Sequence, residues 1–286
     1  YRASVLRAAV EGRLVPTEAE LARAEGRGYE PASVLLERIV AVRRRRWQEA
    51  GGRGKYQEPV APDTTNLPEL PEGWCWAGFD HVCNSVSDMG KRLDQRDYEV
   101  AGQLPVIDQG VAFIGGRTDR TELAYSGALP VVLFGDHTRH VKHVDFTFVV
   151  GAQGLKLLAP TAACSSRFLS LIVRTRSLPD KGYARHFQFL RRAAFPLPTT
   201  AEQERMVAEL DRALSTVDDS ERAVAVQVRR CARLRQSILN WAFEGKLADQ
   251  DANDEPASVL LERIKVEREA AGASARTRAR ARRKHR

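Results

Sequence analysis

The sequence predicts an α+β protein in which one mixed α/β globular domain is flanked by long coiled-coil helices whose ends form a repeated helical hairpin. Three observations predict it. EPASVLLERI at 30–39 returns unchanged at 255–264, and upstream of the two copies YRASVLRAAVEGRL (1–14) aligns without gaps on LRQSILNWAFEGKL (234–247). Such a repeat sets the architecture before any residue is assigned a role. Between the copies, short apolar runs rich in Val, Ile and Phe alternate with Gly, Asp and Pro, which suits strands joined by loops. Ahead of the second copy, Val207, Leu210, Leu214, Val217, Val224, Val228, Cys231, Ile238 and Ala242 recur at three- and four-residue spacing, a heptad seam.

Taken in order, residues 1–55 form the first helical region. Each repeat copy reads as the end of one helix, a glycine stop at Gly12 or Gly245, a connection, and a returning helix that opens at Pro31 or Pro256. The connection 15–29 is longer than 248–254 by eight residues, so it is expected to be a surface loop. Arg43, Arg44, Arg45 and Arg46 place cations all round a helix; this end is either phosphate-facing or solvated. Residues 56–70, rich in Pro, Thr, Asn and Glu, are an extended linker.

The globular domain spans 71–198, with strands expected near 104–107, 129–134, 146–150 and 155–158 and short helices at 169–173 and 183–190. Thr200-Ala201-Glu202-Gln203 has the form of a capping box opening the second helical region, 199–270. The narrow apolar stripe of that helix needs a partner, and a second copy of the chain is one candidate. Residues 271–286 carry six arginines and one lysine with no acid and are expected to be a disordered basic tail. Tyr1 opens in the middle of a helical pattern, so the chain reads as a portion of a longer design or as a half-length form.

A formal net charge of +8 makes nucleic acid or an acidic surface a reasonable partner. Cys75, Cys83, Cys164 and Cys231 show neither metal-ligand spacing nor a secretory framework, which reads as a reduced, cytoplasmic chain. No apolar run approaches the roughly 20 residues a bilayer span needs, so no membrane is expected as partner. The phosphate-cradling GxxxxGK[ST], the dinucleotide GxGxxG, the nucleophile GxSxG, the zinc-binding HExxH and an Asn-Pro-Pro-aromatic tetrapeptide are all absent. The chain is expected to be non-catalytic, with no cofactor or metal of its own.

The densest polar run is GDHTRHVKH, 135–143. His137, His140 and His143 would suit a metal on a helix, whereas Gly135, Val141 and Val144 favour a turn into a strand that scatters them. As a loop, His137, Thr138, Arg139 and Lys142 offer donors for phosphates and base edges. Lys91, Arg92, Arg117, Thr118, Arg120, Lys156, Tyr183, Arg185 and His186 are candidates of the same kind, and Gln109 either pairs with adenine or closes a turn. For all of them a structural polar turn is the alternative.

LPEGW, PVIDQG, FIGGRTD, LFGDHTRHVKHVDFTFVVGAQGLKLL, GYARHFQFL and PLPTTAEQERMV, with the repeated hairpin, together resemble the specificity subunits of type I restriction-modification systems. The likeness runs over nearly the whole chain up to the basic tail. It implies that 71–198 is a target recognition domain reading one half of a split double-stranded DNA sequence, and that the helical regions act as a ruler and dock methyltransferase subunits. In that family two methyltransferase chains and one specificity chain make an adenine-N6 methyltransferase. S-adenosylmethionine and base flipping belong to the methyltransferase partner, and restriction subunits join through the complex. A full member carries two recognition domains and this chain carries one, which implies a C-terminal portion or a half-length form dimerising through the long helix. The recognition subunit of a type II system, a coiled-coil scaffold that binds no DNA, and a metal-dependent nuclease using Asp136 and the nearby histidines are the other readings.

Overall fold

The structure is a computed structural model. It describes all residues except Gly52, Arg53, Asp180, Lys181, Tyr183, Gln250, Ala252, His285 and Arg286, and side chains as far as Ala273. The chain divides into two units, Tyr1–Asp218 and Asp219–Arg286.

The first unit opens with three helices, α1 (Arg2–Val10), α2 (Glu18–Glu25) and α3 (Ala32–Glu49). Gly12, at φ 69°, lets the chain reverse after α1, with the Arg13 N–H donating to Ala8 O at 2.8 Å. The connection expected to be a surface loop is largely a helix. The Thr17 hydroxyl accepts from the Glu20 N–H at 3.1 Å while the Glu20 carboxylate accepts from the Thr17 N–H at 2.8 Å, a reciprocal cap that starts α2. Ala19 and Ala22 then turn inward and are buried.

The globule follows with β1 (Cys75–Ala77), α4 (Phe79–Val82), β2 (Cys83–Val86), β3 (Arg92–Leu93), β4 (Leu104–Ile107), β5 (Gly116–Thr118), β6 (Val131–Gly135), β7 (Val141–Val144), β8 (Val149–Gly151) and β9 (Leu155–Pro160). Helices α5 (Ser166–Thr175) and α6 (Phe187–Leu190) and strand β10 (Phe195–Leu197) complete it. The strand order is β2-β9-β6-β7 in one sheet and β3-β8-β4-β5 in another, while β1 pairs with β10. The first of these is antiparallel throughout, and β8 runs parallel to both β3 and β4.

Strand β6 explains how the globule holds together. Val132 and Phe134 point into a core shared with the helices, and Val131 and Leu133 into a second core with Ile107, Phe148 and Val150. A strand covered on both faces reads as an unbroken apolar run. The four fully buried phenylalanines Phe134, Phe148, Phe168 and Phe195 each contribute about 1.5–3 kcal/mol of burial energy, so the two cores outweigh any surface ion pair here.

Helix α7 (Thr200–Phe243) starts inside the first unit, where Glu202 and Gln203 lock it. The hydroxyl of Thr199, one residue before the expected cap, accepts from the Glu202 N–H at 3.3 Å. The Glu202 carboxylate ties the helical hairpin to the globule: it accepts from Trp74 Nε1 at 2.8 Å and from the Glu18 N–H at 3.1 Å. Gln203 accepts from the Ser165 N–H at 2.9 Å and donates to Ala163 O at 2.8 Å. Burial pushes the Glu202 carboxyl up; burial pushes Glu18 the same way, but Arg205 and Arg27 hold that carboxyl below its ordinary value.

The heptad seam divides. Leu210 is buried against the globule with Met206 and Ala213, and Val207 and Leu214 pack partly on the same core, so these positions are covered without a partner helix. Val217 is half-buried. From Asp219 to Ala273 every described residue is exposed, including Val224, Val228 and Ile238. The second unit consists of the rest of α7 and α8 (Ala257–Lys284). The tail expected to be disordered continues α8 as far as Lys284, since its alanines and arginines are strong helix formers and no proline interrupts them.

Candidate nucleic-acid interface

The β6–β7 hairpin is closed by backbone bonds from Gly135 N–H to His140 O (2.9 Å) and from Arg139 N–H to Gly135 O (2.8 Å). Arg139 takes the left-handed conformation at φ 62°, uncommon for a residue with a side chain. Gly135 is required by crowding, because a Cβ there would lie 2.9 Å from Cβ of Gln109 and against the Thr138 hydroxyl.

Gln109 clamps this turn. Its Nε2 donates to Gln153 O at 3.0 Å, its Oε1 accepts from the His137 N–H at 3.3 Å, and its backbone carbonyl accepts from the Thr138 hydroxyl at 2.6 Å. Behind the turn the Asp136 carboxylate accepts from the Phe187 N–H at 2.8 Å, and the Asp136 carbonyl accepts from the His186 N–H at 2.8 Å. The ammonium of Lys156 lies 5.4 Å from the Phe187 ring centroid. Arg92 pairs with Asp88 and donates to Ala152 O and Leu155 O, both at 3.3 Å. The fold thus gathers Arg92, Gln109, 137–140, Lys156 and 185–186 around the turns 136–140 and 152–154.

Several sequence candidates are structural within this arrangement. Lys142 is buried, its Nζ donating to Asp108 O at 2.7 Å and Ala112 O at 2.5 Å with the Asp108 carboxylate 3.7 Å away. Burial draws its pKa down against the opposing pull of Asp108. Thr118 is buried, its hydroxyl accepting from the Arg120 N–H at 3.2 Å. His186 is buried, with Nδ1 3.1 Å from Asp136 O. None of these three reaches the surface. The amide of Gln109 is spent on the clamp, and Arg117, half-buried on β5, donates to Gly102 O at 2.9 Å.

Other candidates do face outward. Arg120, Arg139 and Arg185 are exposed, Arg120 in an ion pair with Glu122 at 3.0 Å; Lys91, Lys156, His137 and Thr138 are half-buried. Tyr183 lies outside the described residues. His143 Nε2 is 3.0 Å from the Ser166 hydroxyl on α5, away from the turn, and among the described residues no group of three His, Cys, Asp or Glu side chains is placed to hold a metal. Two features escaped sequence reasoning. The inter-element locks Glu202 and Gln203 looked like helix-start residues, and nothing in the sequence singles out the exposed loop 111–114.

No family model matches the chain. The specificity subunit of the type I restriction enzyme EcoKI from Escherichia coli K12 is 33% identical over 230 residues, covering 70% of this chain and 48% of that protein. The EcoEI specificity subunit of E. coli is 25% identical over 338 aligned positions, covering 93% of this chain and 54% of that protein. This chain belongs to the type I specificity-subunit family. It spans about half the length of the curated relatives it matches. Among solved structures, an S subunit (HsdS) from Thermoanaerobacter tengcongensis is 23% identical with a TM-score of 0.41, covering 76% of this chain and 57% of that one. A chain of a type I restriction-modification system, solved in work on complex assembly and conformational transition, is 24% identical with a TM-score of 0.48 over 76% of this chain and 58% of that one. Among the described residues of this chain, no helix is long and apolar enough to cross a membrane.

Proposed function

We propose that the chain is a non-catalytic address subunit: its globule reads one half of a bipartite site on double-stranded DNA, and its helices dock adenine-N6 methyltransferase subunits through which a restriction subunit joins. The observation that carries the DNA reading is the turn cluster, where the Gln109 clamp sets Arg139 beside half-buried His137 and Thr138, with Lys156 and Arg185 on the segments tied to it. Exposed guanidinium and ammonium groups neutralise phosphates, and hydroxyl and imidazole donors suit base edges. S-adenosylmethionine belongs to the methyltransferase partner in this reading.

The test is binding of the full chain, alone and with a methyltransferase subunit, to random-sequence duplex DNA across a salt series, with the retained DNA sequenced. The expected outcome is an observed affinity falling linearly on log–log axes with salt, by a slope near −0.9 per phosphate contact, and a short enriched motif. Arg139→Glu with Arg185→Glu should flatten that slope by about one to two. Binding indifferent to salt, with no motif in either preparation, overturns the reading.

A second copy of the chain is the further partner proposed. The first hairpin copy is covered, with Val5 8% exposed, and its equivalent in the second copy, Ile238, is 51% exposed. Both copies have the same local build: Gly12 and Gly245 share φ values of 69° and 67°, and the ion pair of Arg38 with Glu30 recurs as Arg263 with Glu255. A face built to be buried in one setting is a face to be buried in the other, and self-association through the long helix would cover it.

A further inference from the structure

The loop joining β4 to β5 is an exposed apolar tip on a fixed base. Val111, Phe113 and Ile114 are 85%, 45% and 39% exposed, and Phe146, 37% exposed, stands with its ring centroid 6.2 Å from that of Phe113. The base is rigid. The buried ammonium of Lys142 holds the carbonyls of Asp108 and Ala112, and the Asp108 carboxylate accepts from the Gly110 N–H at 2.8 Å. A buried lysine spent on two loop carbonyls is costly, and here it fixes a segment that turns Val111, Phe113 and Ile114 to solvent.

Charge and area argue for the occupant. The apolar tip begins two residues after Gln109 of the same loop, whose bonds to His137 and Thr138 put it beside Arg139. At the base Asp108 is committed to Lys142, and Asp136 to the Phe187 N–H, while Asp145 beside Phe146 is exposed. The turn tied to the loop by Gln109 carries the exposed cation Arg139, while the tip is apolar. The tip exposes on the order of 300 Å² of apolar surface, well short of the roughly 800 Å² per partner that a standard protein–protein interface needs. A small apolar tip beside a turn that carries an exposed cation fits a DNA groove, where side chains such as Phe and Ile meet thymine methyl groups or wedge against a base step.

We infer that Phe113, backed by Phe146 and flanked by Ile114, is an apolar base-contacting element of the globule, reading bases where the neighbouring cations hold phosphates. The inference rests on the DNA reading above. It is tested with the full chain and a duplex recovered from the random pool, comparing wild type, Phe113→Ala, Phe146→Ala and Phe113→Leu over a salt series. Both alanine variants are expected to bind that duplex at least tenfold more weakly, with the salt slope unchanged because no phosphate contact is lost, and Phe113→Leu should recover most of the affinity. Both positions are at the surface, so unchanged thermal unfolding is expected and confirms that folding is intact.

A wild-type chain that retains no DNA at any salt sinks the DNA reading and this inference together. Wild-type binding that Phe113→Ala and Phe146→Ala keep within twofold overturns this inference alone. So does a loss confined to methyltransferase-subunit binding with DNA affinity intact, which would make the tip a protein contact. A flattened salt slope would place Phe113 in the phosphate-binding framework and overturns it as well.

Discussion

Lys142 shows how a residue type can mislead. In the run HTRHVK its charge suggests a phosphate ligand, yet on β7 it alternates inward with Val144, and its ammonium replaces water with two carbonyl groups. Replacing it with alanine leaves the buried Asp108 carbonyl without this donor, at about 1–3 kcal/mol, and the part-buried Ala112 carbonyl at less. Lys142→Ala is therefore expected to lower stability by about 2–4 kcal/mol in urea unfolding, far more than removal of exposed Arg139. An unfolding midpoint matching that of Arg139→Ala would show that the ammonium is not structural. Thr118 on β5 misled in the same way, for a polar strand residue is legible as polar but not as inward or outward until the register is known, and His186, just ahead of α6, is turned inward by its bonds to the Asp136 carbonyl.

At the scale of elements, the two hairpin copies are a natural comparison of one sequence in two surroundings. A Cβ at Gly12 would run into the Pro71 ring and sit 3.2 Å from the Trp74 indole, in addition to the left-handed strain. Gly245, exposed on the second copy, carries the same left-handed backbone. Gly12→Ala should cost about 2–4 kcal/mol and Gly245→Ala about 1 kcal/mol, read by chemical unfolding of the two variants. Equal losses would mean that the two copies meet equivalent surroundings. The helix stop, the proline start and the apolar stripe were legible in each copy. Helix α2 was not, because its cap Thr17-x-x-Glu20 lies in a stretch whose alanines and charges show little apolar periodicity.

At the scale of the whole molecule, the stripe on α7 has two fates. Its first part is used up within the first unit, and only Val224, Val228, Ile238 and their neighbours remain to draw in another chain. Self-association is therefore expected to depend on these positions. Sedimentation of the full chain should show a concentration-dependent dimer that Val228→Asp with Ile238→Asp abolishes, while the unfolding of the first unit is unaffected. A wild-type chain that stays monomeric into the hundred-micromolar range would refute the dimer and leave that stripe to a different protein.

The sequence by itself determined the α+β class, the duplicated hairpin, the long helix and the family, because repeats, period and turn residues are written in the order of the chain. Tertiary structure alone decided which polar residues face out. Gln109 became a clamp, Arg92 a brace between strands, and Glu202 a joint between hairpin and globule, since each is set by partners tens of residues away. It also decided which half of the heptad seam is covered: whether a stripe is buried depends on what folds back against it, and that information lies in the globule's surface and not in the stripe.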